Sequence, residues 1–164
     1  MKTLYILRHA KSSWDFDELS DHDRPLNKRG RSDAQLMGQE LANRSVAPAL
    51  IVSSSAVRAI TTATLVGKEL NYNAEDIVVT DSVYGADKHE LLDVVHNSPV
   101  EADAVMLVGH NEPISEFANM LSPEHIASLP TTGIVALEFG CDSWYDVSKE
   151  NAKLLFYDFP KNYK

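Results

Sequence analysis

Four side chains in this sequence could do chemistry together if folding gathers them: Arg8 and His9, Arg58, and His110. Each follows a short apolar run. Lys2–Leu7 leads into Arg8-His9, Ala49–Val52 into Ser53-Ser54-Ser55 and Arg58, and Ala104–Val108 into Gly109-His110. Such runs read as buried strands of a mostly parallel sheet, and ligands of open α/β sheets bind at the rim where strands end. Parallel strands would bring all four residues to one rim. Two guanidiniums and two imidazoles around one point make a pocket for a dianionic tetrahedral group, because forked arginine donors match phosphate oxygens. Phosphoryl transfer needs mainly alignment and charge stabilisation. One imidazole must be neutral to attack phosphorus. The other can be protonated, clamping an oxygen or donating to the leaving group. The serines can cap a helix starting near Ala56, whose free N–H groups make a ready anion site. No acidic cluster has metal-ligand spacing, so the positive charge comes from protein, and no metal or other cofactor is expected.

The elements that must position these residues follow from pattern. Ser12 to Asp23 is polar and irregular, a surface loop beside the site. Asn27 is placed to cap a helix in which Ala34, Met37 and Leu41 share one apolar face. Asp76–Thr80 reads as a third strand, Asp87–Asn97 as a helix, and Pro113 opens another helix with Ile114, Phe117, Ala118 and Leu121 on its core face. Gly133–Phe139 and Ala152–Phe159 are strands with too short a gap for a crossover helix, so they pair antiparallel at one side of the sheet. The expectation is one domain over residues 1–164, a three-layer α/β/α sandwich with a mostly parallel central sheet and a C-terminal antiparallel hairpin.

Composition narrows the function. The 164 residues carry 24 acidic and 15 basic side chains, a formal charge of −9, which argues against nucleic acid or an anionic membrane as partner. The lone Cys141 excludes an intrachain disulfide and a Cys-rich zinc site, and reads as packing. The N-terminus has no apolar stretch fit for a signal peptide and no segment approaches a membrane span, so a cytoplasmic location is expected. His89-Glu90 is followed by a histidine only at His96, seven residues on, not four as a zinc-protease helix requires. His22, His89, His96 and His125 read as surface residues. Lys11 and Arg24 either guide substrate or are solvated charges.

Leu7-Arg8-His9-Ala10 resembles the Arg-His-Gly signature of the histidine phosphatase (phosphoglycerate mutase-like) superfamily, with alanine in the glycine position. Ser53 to Ala59 resembles its second motif, Val108-Gly109-His110-Asn111 its third, and Asp23 to Gly30 the Pro-Leu-Thr-x-x-Gly segment between them. Small size and the Arg-His-Ala-Lys form are most similar to SixA-type phosphohistidine phosphatases. The resemblance implies that His9 is a nucleophile forming a phosphohistidine enzyme, that Arg8 and Arg58 bind phosphate with Ser12 a further candidate, and that His110 completes the pocket. Two departures stand out. Larger members carry a glutamate acid shortly after the third strand, where this chain reads Val83-Tyr84-Gly85. Losing a general acid costs an alkoxide leaving group about 10²–10⁴ in rate, whereas a phosphoramidate nitrogen can be protonated with less help. Asp15 aligns where mutases usually place an asparagine on phosphate; it either points away or is a protonated acid. The reading that results is a metal-independent phosphatase acting on phosphohistidine in a protein. A phosphatase of small phosphorylated substrates and a non-catalytic phosphohistidine-binding module are the alternatives.

Overall fold

In a computed structural model describing residues 1–164, ten elements make up the framework. In chain order they are β1 (Lys2–Arg8), α1 (Lys28–Asn43), β2 (Leu50–Ser54), α2 (Val57–Glu69), β3 (Val78–Thr80), α3 (Lys88–His96), β4 (Ala104–Gly109), α4 (Pro113–Leu121), β5 (Ile134–Phe139) and β6 (Ala152–Asp158). One six-stranded sheet has the order β3-β2-β4-β1-β5-β6. The first four strands in sequence are mutually parallel, and β5 and β6 run antiparallel along one side. The three-layer α/β/α expectation and its C-terminal antiparallel pair are both met.

Alternation along the strands builds two cores, one on each sheet face. Leu4 and Ile6 of β1, Val105 and Leu107 of β4, and Val135 and Leu137 of β5 pack with Phe117, Leu121, Leu91 and Trp144. The intervening residues Tyr5, Leu7, Met106, Val108, Ile134 and Ala136 pack with Ala34, Met37, Leu41, Ala63 and Val66. Helices α1 and α2 therefore cover one face, and α3 and α4 the other. No helix is long and apolar enough to cross a membrane.

Local chemistry sets most boundaries. The Asn27 side chain accepts the Gly30 N–H at 2.8 Å and starts α1, while its own N–H donates to the Lys11 carbonyl at 3.0 Å. That contact brings the helix onto the chain after β1 so closely that a Cβ on Gly30 would lie 2.0 Å from the Lys11 oxygen. Asp87 and Glu90 form a reciprocal capping box at the start of α3. Two expectations need correction. The third strand is shorter than Asp76–Thr80, because Ala74–Asp76 forms a 3₁₀ turn capped by Asn73 and the strand is an edge with Val78 and Val79 exposed. The serines after β2 do not supply the α2 cap, which is Ala56 without a side-chain bond; Ser54 Oγ accepts the Ala56 N–H and turns to another partner.

Candidate active site

Strand register brings the ends of three strands to one level. Arg8 of β1 lies opposite Gly109 of β4, and Val108 opposite Ser53 of β2, so His9 and His110 each stand one residue beyond a paired position, while Ser54, the last residue of β2, pairs with Thr80 of β3. The backbone of His9 is fixed on both sides. Its N–H donates to the Gly109 carbonyl at 3.0 Å and its carbonyl accepts from the Thr132 N–H at 3.1 Å. Next to it, the Ala10 N–H donates to Thr62 Oγ1 at 2.9 Å. Thr132 is fully buried with φ of +62°, a left-handed conformation that a β-branched residue adopts only under strain.

The two imidazoles face each other across a ring-centroid distance of 5.1 Å at 53°. His9 Nδ1 lies 2.7 Å from the Ala10 carbonyl oxygen. A carbonyl only accepts, so Nδ1 carries the proton and Nε2 keeps its lone pair. Burial is the main force lowering the His9 pKa to about 3; the neighbouring His110, Arg58 and Arg8 add to it, and the Ala10 bond opposes them. His110 places Nε2 2.7 Å from Ser54 Oγ and is lowered to about 4, again chiefly by burial and then by Arg58. Both rings are neutral near pH 7.

The guanidiniums complete the cluster. Arg8 donates from Nη1 to the Leu129 carbonyl at 2.8 Å. Arg58, buried at the start of α2, donates from Nη1 to the Asp21 carbonyl at 2.6 Å and from Nη2 to Asp21 Oδ2 at 3.0 Å. Four buried side-chain polar atoms have no hydrogen-bond partner within the protein: Arg8 Nε, Arg58 Nε, His110 Nδ1 and Thr132 Oγ1. Buried polar groups are paired in the great majority of cases, and three of these four belong to the residues just described. A cavity of about 320 Å³ opens beside Arg58 and His110, lined also by Asp21 and Tyr84 among others. Donors converging around a neutral imidazole suit an oxyanion held for attack by nitrogen.

Comparison with known proteins fits this geometry. A family model for the histidine phosphatase superfamily (branch 1) matches residues 4–82. An uncharacterised chloroplastic protein of Arabidopsis thaliana is 33% identical over 151 residues, covering 87% of this chain and 69% of the relative. This chain belongs to the histidine phosphatase superfamily. The phosphatase superposes on a protein assigned as the phosphohistidine phosphatase SixA of Agrobacterium tumefaciens with a TM-score of 0.79 and 29% identity, covering 96% of this chain and 97% of the other. A similar assignment from Nakamurella multipartitia gives 0.82 and 25%, covering 97% and 96%. A protein histidine phosphatase SixA solved with tungstate shares the fold, at 0.78 and 21% identity over 99% of both chains.

The other residues singled out in the sequence divide between the rim of this site, where Arg24 and His22 meet Asp21 and Ser55, and the rest of the phosphatase. Asp15 is exposed, and its carboxylate meets no protein donor. Ser12 Oγ accepts from Arg24 Nη1 at 2.7 Å. Arg24 is no solvated charge: it is buried, stacks 3.6 Å over the Trp14 ring, and reaches Asp21 Oδ1 from Nε and Nη2 at 3.4 and 3.3 Å. His22 is not a free surface residue, since its Nε2 lies 3.0 Å from Ser55 Oγ and its ring meets Tyr84 edge-on at 4.9 Å. His89 and His125 are exposed, and His96 packs on Tyr145. Cys141 packs against the core, and burial raises its thiol pKa.

Asp21 is the residue that sequence reasoning missed. Its Oδ2 accepts the Tyr84 hydroxyl at 2.8 Å in addition to Arg58. Desolvation pushes its carboxyl up, but the Tyr84 hydroxyl and the Arg58 guanidinium outweigh that and hold it at about 2. Tyr84, in the segment where larger relatives carry an acid, thus supplies a hydroxyl that grips an ionised carboxylate. Asp21 stands three residues before Arg24 in an Asp-His-Asp-Arg run, and that density of charge before Pro25 was the available signal.

Proposed function

We propose that this phosphatase removes the phosphoryl group from phosphohistidine carried on a protein, through a phosphohistidine intermediate on His9 and without a metal. The observation that carries the reading is the set of unpartnered buried nitrogens, the N–H groups of Arg8 Nε and Arg58 Nε and the ring nitrogen His110 Nδ1, beside a buried imidazole whose Nε2 lone pair is free. The phosphoryl oxygens take those donors. His9 Nε2 attacks phosphorus in line with the departing nitrogen; a P–N bond to His9 forms as the substrate's P–N bond breaks, and the freed imidazole takes a proton from solvent. Water then attacks phosphorus, releasing phosphate and restoring His9. Donor and acceptor are both imidazoles, so the first transfer is close to thermoneutral. It makes no demand on a strong acid.

Asp21 fits that economy. A carboxyl held near 2 is ionised at neutral pH and is not a proton donor in the resting enzyme. It acts as a positioning residue, keeping Arg58 extended into the site until a dianion takes over the guanidinium. An alkoxide leaving group would lack an acid, which ranks phosphomonoesters below phosphoramidates. The test compares turnover of a histidine-phosphorylated peptide with a panel of sugar and nucleotide phosphates, with chelator present. Faster phosphoramidate hydrolysis, absent from His9→Ala, is expected. Faster phosphoester turnover, or binding of phosphate with no turnover at all, would transfer the assignment to one of the alternatives.

A further inference from the structure

We infer that the segment Ser13–Asp21 is a docking surface for a basic, apolar stretch of the protein that carries the phosphohistidine. The inference deepens the reading above and rests on it for the chemistry. Three large apolar side chains are held out to solvent within six residues: Trp14 is 70% exposed, Phe16 44% and Leu19 37%. They are not floppy. Arg24 stacks on the Trp14 ring and bonds Ser12 Oγ and the Ser13 carbonyl, and the Leu19 N–H closes a turn onto the Phe16 carbonyl at 3.1 Å. With Asp17, Asp21 and Arg24 the three enclose a hollow of about 190 Å³. Exposed apolar clusters rimmed by polar residues mark interaction sites, and ordered aromatic residues are the usual anchors.

Position and charge specify the occupant. Asp21 belongs to this hollow and also to the cavity beside Arg58 and His110, so a chain lying in the hollow leads directly to the phosphate site. A protein substrate seated at the phosphate site can lie across both cavities at once. Asp15, Asp17, Glu18 and Asp23 stand exposed among the apolar side chains. Lysine or arginine beside leucine-like side chains is the complementary surface, and an acidic one is repelled.

Two histidine peptides test this, one flanked by Lys and Leu and the other by Glu and Gly, each used bare and phosphorylated, with N-acetyl phosphohistidine as the reference substrate. The chain has two tryptophans, and Trp144 is buried at 1% exposure, so a change in the exposed tryptophan emission reports Trp14. A saturable blue shift is expected with the Lys/Leu peptide and none with the Glu/Gly peptide. The phosphorylated Lys/Leu peptide should be favoured about tenfold or more in kcat/KM, through KM. Phe16→Ser/Leu19→Ser should abolish both effects and leave turnover of N-acetyl phosphohistidine unchanged. Equal binding of the two peptides, a preference that survives the double substitution, or equal slowing of every substrate would overturn the inference. Selective binding with no phosphoramidate turned over would instead sustain the docking surface and overturn the phosphohistidine reading.

Discussion

The site is made of two halves built by different means. His9 and His110, each one residue past a paired position, and Ser54, paired with Thr80, are set by strand register, and the His9 backbone is held by Gly109 and Thr132. Asp21 and His22 come from a short 3₁₀ turn and Arg24 from the residue after it, and they reach the same place mainly through side chains, to Arg58, Tyr84, Ser55 and Ser12, with the Asp21 carbonyl also accepting from Arg58. Register leaves a strand end little freedom, because every ladder bond opposes displacement. A loop whose arginine ion pairs both run through one half-exposed carboxylate, Asp21, can yield, since pairs with a solvated partner are worth on the order of 1 kcal/mol. The proposed mechanism therefore places the reacting nitrogen on the rigid half, and the group that makes way for the arriving phosphate on the yielding half.

Substitutions should separate the halves by size of effect. His9→Ala removes the attacking atom and should lower kcat by about 10⁴ or more with thermal stability little changed, read in a phosphate-release assay. Arg58→Ala takes away a preorganised donor and should cost about 10²–10³. Acid should act on the rigid half next. Burial holds His9 and His110 at about 3 and about 4, below the ordinary imidazole value of 6.5, so the unfolded chain binds more protons in that window. Stability is therefore full above about pH 6.5 and falls as pH drops toward 3, by up to about 8 kcal/mol. Denaturant titrations across that range should show the slope, flattened in His9→Asn; a pH-independent midpoint from 6.5 to 4 would contradict the neutral pair. Gly30→Ala forces a methyl against the Lys11 carbonyl where α1 meets the loop and should destabilise by about 2 kcal/mol, read as a lowered denaturation midpoint. Asp21→Asn should have the smallest effect, tightening inorganic phosphate about fivefold by removing a competing carboxylate from Arg58. Weaker phosphate binding in that variant would show that the loop holds phosphate and does not yield to it.

The same division explains what could be read in the sequence. Arg8, His9, Arg58 and His110 were visible because short apolar runs announce strands and a strand's last residue has one place to go. Asn27 and Pro113 were visible because caps are local chemistry. Asp21 was not, since its partners Arg58 and Tyr84 lie 37 and 63 residues away and nothing in the loop's own pattern names them. Thr62 and Thr132 escaped for the same reason: one is an ordinary helix residue and the other a turn residue until the fold sets them against Ala10 and His9. The β3 boundary was read two residues early because an edge strand with exposed valines has no second sheet neighbour to extend its ladder.

The proposed mechanism depends on His9 Nε2 being the atom that meets phosphorus. Rapid mixing with a histidine-phosphorylated peptide, an alkaline quench that preserves P–N bonds, and peptide mapping by mass spectrometry would locate the phosphoryl group on the enzyme. The expected result is a single phosphoryl group on His9 that forms and decays at rates consistent with turnover, and none anywhere in His9→Ala. Turnover with no phosphoryl-enzyme, or with the label on His110 or another residue, would contradict it.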